Sequence, residues 1–239
     1  MKLSSKILVM MLGAFVTCLF ASNVILKKQY DSADKSDYYW NYNKISTTPF
    51  KYLKIDGGNV TNIVFEQQKN CSVRVLDYWG GYDKDSVKTH VSGDTLHLQF
   101  VKSPTDLYKK SWMETNVLVR IAAPQLLAID GYNTNFELVK FDQKELQINL
   151  TGKSRIEVES NIHNFDKLSI NQRDSSQVIF EMNPDLKQSP IINAKNVAVK
   201  IQGVSLLDIG HMNVDNLQLD VTESSAVILS GHNLKSLQN

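Results

Sequence analysis

Between residues 51 and 121 apolar and polar positions alternate in short runs: Leu53 and Ile55; Val73 and Val75; Leu96, Leu98 and Phe100; Val117, Val119 and Ile121. A period of two sends successive side chains to opposite faces of an extended chain, so each run predicts a strand with one buried and one solvated face. The first 28 residues behave differently. Ile7 to Leu26 carries no charge and is flanked by Lys6 and by Lys27 and Lys28. A helix of that length spans about 30 Å, the thickness of a bilayer's hydrocarbon core.

After Pro124 the alternation becomes a repeat. Leu127-Ala-Ile129-Asp130, Leu146-Gln-Ile148-Asn149, Leu168-Ser-Ile170-Asn171, Val197-Ala-Val199-Lys200 and Leu217-Gln-Leu219-Asp220 share the pattern apolar-x-apolar-polar. Each is followed by a second alternating pair: Phe136/Leu138, Ile156/Val158, Val178/Phe180, Leu207/Ile209 and Val227/Leu229. Two residues before each second pair stands a small hydroxyl: Thr134, Ser154, Ser176, Ser205 or Ser225. Successive copies start 19, 22, 29 and 20 residues apart, the longest step containing the segment around Asn183, Pro184, Ser189 and Pro190. Two short strands per copy of about 20 residues predict a β-solenoid, whose copies bury their apolar faces by stacking. The competing reading is an antiparallel sandwich, which also uses short, closely spaced strands. Stacking gives the recurrent hydroxyl a cause, because equivalent slots lie about 4.8 Å apart and form a column. Asp130, Asn149, Asn171 and Asp220, with Lys200 as the exception, predict a second polar column. The inward slots are expected at Ile129, Ile148, Ile170, Val199 and Leu219.

The segments FKYLKIDGGNVTNIVFEQQKNCSVRV (50–75), HVSGDTLHLQF (90–100) and VLVRIAAPQLLAIDG (117–131), with the repeated L-x-I units, resemble the auto-transporter adhesin head GIN domain family of bacterial cell-envelope proteins. The likeness spans roughly residues 50–239. It implies an all-β fold, a single-stranded right-handed parallel β-helix (β-solenoid), here preceded by one N-terminal transmembrane helix. The family's Gly-Ser-Gly turns are replaced by Asn-Thr-Asn (133–135), Gly-Lys-Ser (152–154), Asp-Ser-Ser (174–176), Gly-Val-Ser (203–205) and Glu-Ser-Ser (223–225). No membrane-barrel segment follows the repeats, so the chain is not expected to be an autotransporter itself. The expected organisation is an anchor or uncleaved signal over 1–28, a polar and aromatic stalk over 29–49, and the β-solenoid domain over 50–239.

The apolar run is longer than the usual signal-peptide core, and Leu19 and Phe20 precede Ala21 and Ser22 where a peptidase requires small residues. An anchor is therefore expected, with a cleaved signal or a lipid-bearing Cys18 as competing readings. The flanking lysines balance, and only the free amino terminus favours placing the large domain outside the cytoplasm. The expected location is the cell membrane, single-pass, with a periplasmic or otherwise extracytoplasmic domain. In the stalk, Tyr38, Tyr39, Trp40 and Tyr42 either sit at headgroup level or pack on the end of the domain.

Composition narrows the function classes. Lys and Arg total 26 against 25 Asp and Glu, and beyond residue 26 the balance is 24 against 25. Such neutrality lacks the basic footprint of a nucleic-acid binder. Cys18 and Cys71 are the only cysteines, and with Cys18 in the apolar run no internal disulfide is expected. His90 and His97 stand seven apart on a hairpin and His163, His211 and His232 stand alone, so no metal site and no cofactor are expected. A polysaccharide-active β-helix enzyme, lyase or hydrolase, needs carboxylates converging on one groove. The candidates Asp174, Asp208, Asp220 and Glu223, with Arg155 and Arg173, do not form a matched cluster by position.

Aromatic residues are segregated. All three Trp and nine Tyr lie between residues 30 and 132. Tyr78, Trp79 and Tyr82 flank a Gly-Gly pair, while Tyr108 and Trp112 occupy a Lys-rich connection. These five are the candidate ligand-binding residues, since broad rings stack on sugars or grip peptides. They would equally serve to cap an open end of the stack. The expectation is a membrane-anchored cell-envelope binding or scaffold protein, adhesin-like and without catalytic activity. Its expected partners are the membrane, through the helix, and an envelope protein or polysaccharide.

Overall fold

A computed structural model describes residues 3–32, 35–59, 61–76, 86–101, 117–159, 164–181 and 192–236. Two compact units are present, Met1–Asn41 and Tyr42–Asn239. The first contains α1 (Leu3–Ser32), a 30-residue helix with no buried residue. It is long and apolar enough to be a membrane span or a signal sequence.

The second unit carries seventeen described strands. From the amino-terminal side these are β1 (Tyr42–Ser46), β2 (Tyr52–Asp56), β3 (Asn62–Gln67), β4 (Ser72–Leu76), β5 (Val87–Ser92), β6 (Thr95–Phe100) and β7 (Val117–Ala123). The repeat supplies β8 (Ala128–Tyr132), β9 (Asn135–Val139), β10 (Glu145–Thr151), β11 (Arg155–Glu159), β12 (Asn164–Gln172), β13 (Gln177–Glu181), β14 (Ile192–Ile201), β15 (Leu206–Ile209), β16 (Met212–Val221) and β17 (Ala226–Leu229). A short helix, α2 (Gly231–Ser236), follows.

The strands form a nine-stranded sheet, β1-β4-β7-β3-β9-β11-β13-β15-β17, and an eight-stranded sheet, β16-β14-β12-β10-β8-β2-β6-β5. This corrects the expected single-stranded right-handed parallel β-helix. Both sheets are mixed: β1 with β4, β4 with β7, and β5 with β6 pair antiparallel. Strand order also departs from chain order, since β2 lies between β8 and β6 while β3 lies between β9 and β7. The physical reason is that alternation marks a residue's face but not its strand's neighbour. Gly93, at φ +57°, turns the chain back on itself so that β5 and β6 form a hairpin, a local choice that period two does not encode.

The repeat's register nevertheless follows its side-chain pattern. Ile129 lies beside Ile148, Ile148 beside Ile170, Ile170 beside Val199 and Val199 beside Leu219. The first four are buried and Leu219, on the edge strand, is partly buried. Equivalent residues stack because a slip of one position would turn every apolar side chain outward. In the core between the sheets Phe65, Phe141, Phe165 and Phe180 form a ladder, with successive ring centroids 6.0, 6.5 and 6.4 Å apart.

The hydroxyl column runs inside the fold. Thr134, Ser154, Ser176 and Ser205 are buried, and Ser225 is half-buried. Ser154 Oγ accepts from Thr134 N (3.2 Å) and donates to Thr151 O (2.7 Å), while Ser176 Oγ and Ser205 Oγ lie 3.3 Å apart. Thr61, two residues before the Ile63/Phe65 pair of β3, extends this column and is also buried. A further inward position is polar: between Leu150 and Ile201 stands Gln172, whose amide donates to Ser176 O (3.2 Å) and Leu206 O (2.9 Å). It ties the two sheets together at a turn through its NH2 group, while its buried Oε1 has no hydrogen-bond partner among the described residues.

Val227 and Leu229 at the β17 edge of the nine-stranded sheet are partly buried, as are Leu217 and Leu219 at the β16 edge of the other. Part of that edge is satisfied by Asn233 of α2, whose side chain accepts from Val214 N (3.0 Å) and donates to Met212 O (2.8 Å). One carboxamide thereby supplies the donor and acceptor that a further strand would offer.

Candidate functional site

The outward side of the eight-stranded sheet is built by the same alternation that fills the core. One row of residues crosses all eight strands in register: His90, His97, Lys54, Asp130, Asn149, Asn171, Lys200 and Asp220. The row is polar where the alternating core-facing neighbours in β2, β6 and β10 are apolar, and Thr89 and Gln172 are polar neighbours beside His90 and Asn171.

Within the row the side chains form a ladder. Asn149 Nδ2 donates to Asp130 Oδ1 (2.5 Å), Asn171 Nδ2 donates to Asn149 Oδ1 (2.8 Å), and Lys200 Nζ lies 3.5 Å from Asp220. A second set of amides climbs the far end of the long strands: Asn216 Nδ2 donates to Asn196 Oδ1 (3.2 Å), and Asn213 Nδ2 to Asn193 Oδ1 (3.4 Å). Beside it Lys195 Nζ contacts Asp166 at 2.8 Å. The hydrogen bond to Lys195 lowers the Asp166 pKa and raises that of Lys195, but both are exposed, so the pair is screened by solvent.

Two shallow recesses follow the central ladder. One, of about 330 Å³, is bounded by Asp130, Asn149, Asn171, Arg173 and Lys200; the other, of about 250 Å³, shares Asn171 and Lys200 and reaches Gln218 and Asp220. Polar side chains at fixed strand spacing bound both, over a floor that in the first is mainly apolar, a mixture suited to an extended ligand with hydroxyl or amide groups. Arg173 reaches the first recess from the end of β12.

The nine-stranded sheet presents a different outward face. Glu137 and Glu157 stand side by side on β9 and β11, with Glu66 nearby on β3. Each is committed: Glu66 to Arg120 (3.1 Å), Glu137 to the Asn62 amide (2.8 Å) and Glu157 to Arg155. Arg120 also lies over the Tyr42 ring, 5.5 Å from its centroid, and the Tyr42 hydroxyl donates to Val117 O (2.7 Å). These contacts fasten β1, β3 and β7.

The candidate ligand-binding residues Tyr78, Trp79, Tyr82, Tyr108 and Trp112 lie outside the described residues. The possible catalytic carboxylates are dispersed: Asp208 faces outward from β15 and accepts from Gly210 N (2.9 Å), Asp174 accepts from Gly152 N (2.8 Å) at a turn, and Asp220 pairs with Lys200 on the opposite sheet. Among the described residues no group of three His, Cys, Asp or Glu side chains is arranged to hold a metal ion. His90 and His97, expected seven apart on a hairpin and not as a pair, are cross-strand partners with stacked rings. Counting outward from the two-residue turn Gly93-Asp94 would have matched them.

No family model matches this chain, and no curated protein matches it. Similar solved structures include a "putative adhesin" from Parabacteroides merdae, 15% identical, with a TM-score of 0.47 over 78% of this chain and 79% of that one. A "putative adhesin" from Bacteroides fragilis is 12% identical, with a TM-score of 0.43 over 78% of this chain and 94% of that one. A "putative lipid binding protein" from Parabacteroides distasonis is 11% identical, with a TM-score of 0.38 over 80% of this chain and 94% of that one.

Proposed function

We propose that the chain is a membrane-anchored envelope protein whose β unit binds or scaffolds an extracytoplasmic partner without catalysing a reaction. The observation that carries this reading is α1: thirty residues with no buried side chain, long and apolar enough to cross a bilayer. An apolar surface such as that of Ile7 to Leu26 is stabilised by removal from water, and a hydrocarbon core of about 30 Å matches the length of that run. The β unit supports a binding role through its long, regular polar face, on which hydrogen-bonding groups repeat at strand spacing.

The polysaccharide-active enzyme is the less supported reading, because Glu66 and Glu137 on the nine-stranded face are engaged in contacts that tie neighbouring strands and Glu157 pairs with Arg155 within its own strand. Recognition is assigned to the aromatic segments carrying Tyr78, Trp79, Tyr82, Tyr108 and Trp112, whose rings offer larger faces than the short polar groups of the repeat.

Washing membranes with alkaline carbonate should leave the protein in the pellet with its apolar run intact. A soluble species beginning near Ser22 or Asn23 would identify a cleaved signal and overturn the anchor. In the same preparation Trp79→Ala should weaken binding to isolated envelope polysaccharide or partner protein at least tenfold, about 1.4 kcal/mol, with an unchanged far-ultraviolet spectrum. Lowered thermal stability with unchanged binding would assign the segment to capping instead.

A further inference from the structure

We propose that His90 and His97 form a two-imidazole site for a divalent transition-metal ion, Cu²⁺ in preference to Zn²⁺ or Ni²⁺, at the edge of the eight-stranded sheet. The two residues are direct cross-strand partners in the β5–β6 hairpin. Their rings lie face to face with centroids 4.5 Å apart and planes within 6°. The hairpin beneath them is held by Leu96 and Leu98, both buried, so the two backbones keep their spacing while the imidazoles, on the outward face, turn about χ1 and χ2.

Imidazole nitrogen bonds such ions at about 2.0–2.1 Å, and two rings on adjacent strands converge on one ion by side-chain rotation alone. The ligand must be the neutral ring.

The surroundings decide which metal. Among the described residues no third His, Cys, Asp or Glu completes a ligand group, so water or a donor from another molecule fills the remaining positions. Lys54 lies opposite His97 on β2, and its ammonium opposes a bound cation. That repulsion is the same for every divalent ion, so the preference follows the affinity of the imidazole donors, and the order of divalent ions puts Cu²⁺ first. The open positions make the hairpin a place where a metal could bridge this protein to a donor on another molecule.

The test is a titration of the full-length chain, in detergent, with Cu²⁺ against glycine as competing chelator, followed by electron paramagnetic resonance. The wild-type spectrum should show hyperfine coupling to two imidazole nitrogens. His90→Asn and His97→Asn should each weaken binding at least tenfold, whereas His211→Asn and His232→Asn should leave it unchanged. Lys54→Met should tighten it by removing the repulsion. Circular dichroism of each variant separates loss of the site from loss of the fold, and the wild-type hyperfine pattern reads the site without any substitution. Unchanged affinity in both His90→Asn and His97→Asn, or a spectrum with one nitrogen or none, would overturn the proposal.

Discussion

The two halves of the β unit use the same local pattern and solve it differently. From Ala128 to Leu229 every described strand pair within the repeat is parallel, and each new strand is laid beside its equivalent from the preceding copy. From Tyr42 to Ala123 the strands turn back, pair antiparallel in three places and interleave with one another. Repetition of whole units sets a neighbour as well as a face, whereas alternation alone sets only the face. The earlier half therefore relies on specific side-chain ties, such as Glu66–Arg120 and the Tyr42 hydroxyl, where the later half relies on stacked identical slots.

The largest expected effect breaks the stack in its middle. Ile170→Ala removes a fully buried side chain flanked by Ile148 and Val199 and should cost about 2–5 kcal/mol in urea unfolding. The equivalent change at partly buried Leu219 should cost less than half as much. Equal losses at the two positions would show that burial within the stack is not what separates the centre from the edge.

A smaller effect contrasts the turns of the two halves. Gly203 has φ +75°, and a Cβ there would stand 2.6 Å from the backbone oxygen of Asp174 in the neighbouring copy. Gly93 in the hairpin has φ +57° with nothing within 4 Å of an added Cβ. Gly93→Ala should cost about 1–2 kcal/mol from the left-handed conformation alone, and Gly203→Ala distinctly more, because backbone must also move. Matching melting temperatures for the two variants would argue that the copies are less tightly stacked at their turns than the register indicates.

The smallest effect concerns pH. Folding lowers the His97 pKa, so the unfolded chain takes up this proton first on acidification. Its contribution to stability is complete above the unfolded value of about 6.5 and is lost as pH falls toward the folded value. His97→Asn should flatten that part of the stability profile. Coincident profiles for wild type and His97→Asn would remove His97 as a titrating contributor.

The chain's residues alone determined the apolar amino-terminal helix, the strand faces, and the repeat frame in which Ile129, Ile148, Ile170 and Val199 lie beside one another, because each follows from spacing along the chain. The polar row from Asp130 to Asp220 was legible for the same reason. Only the tertiary structure decided that β2 lies between β8 and β6, that Thr61 joins the hydroxyl column, that Gln172 fills an inward slot, and that His90 stacks on His97. Those outcomes depend on contacts between residues distant in sequence or across a turn. Closing the intervening loop costs only slightly more as it lengthens, so many pairings compete, and the burial achieved by the whole sheet selects among them.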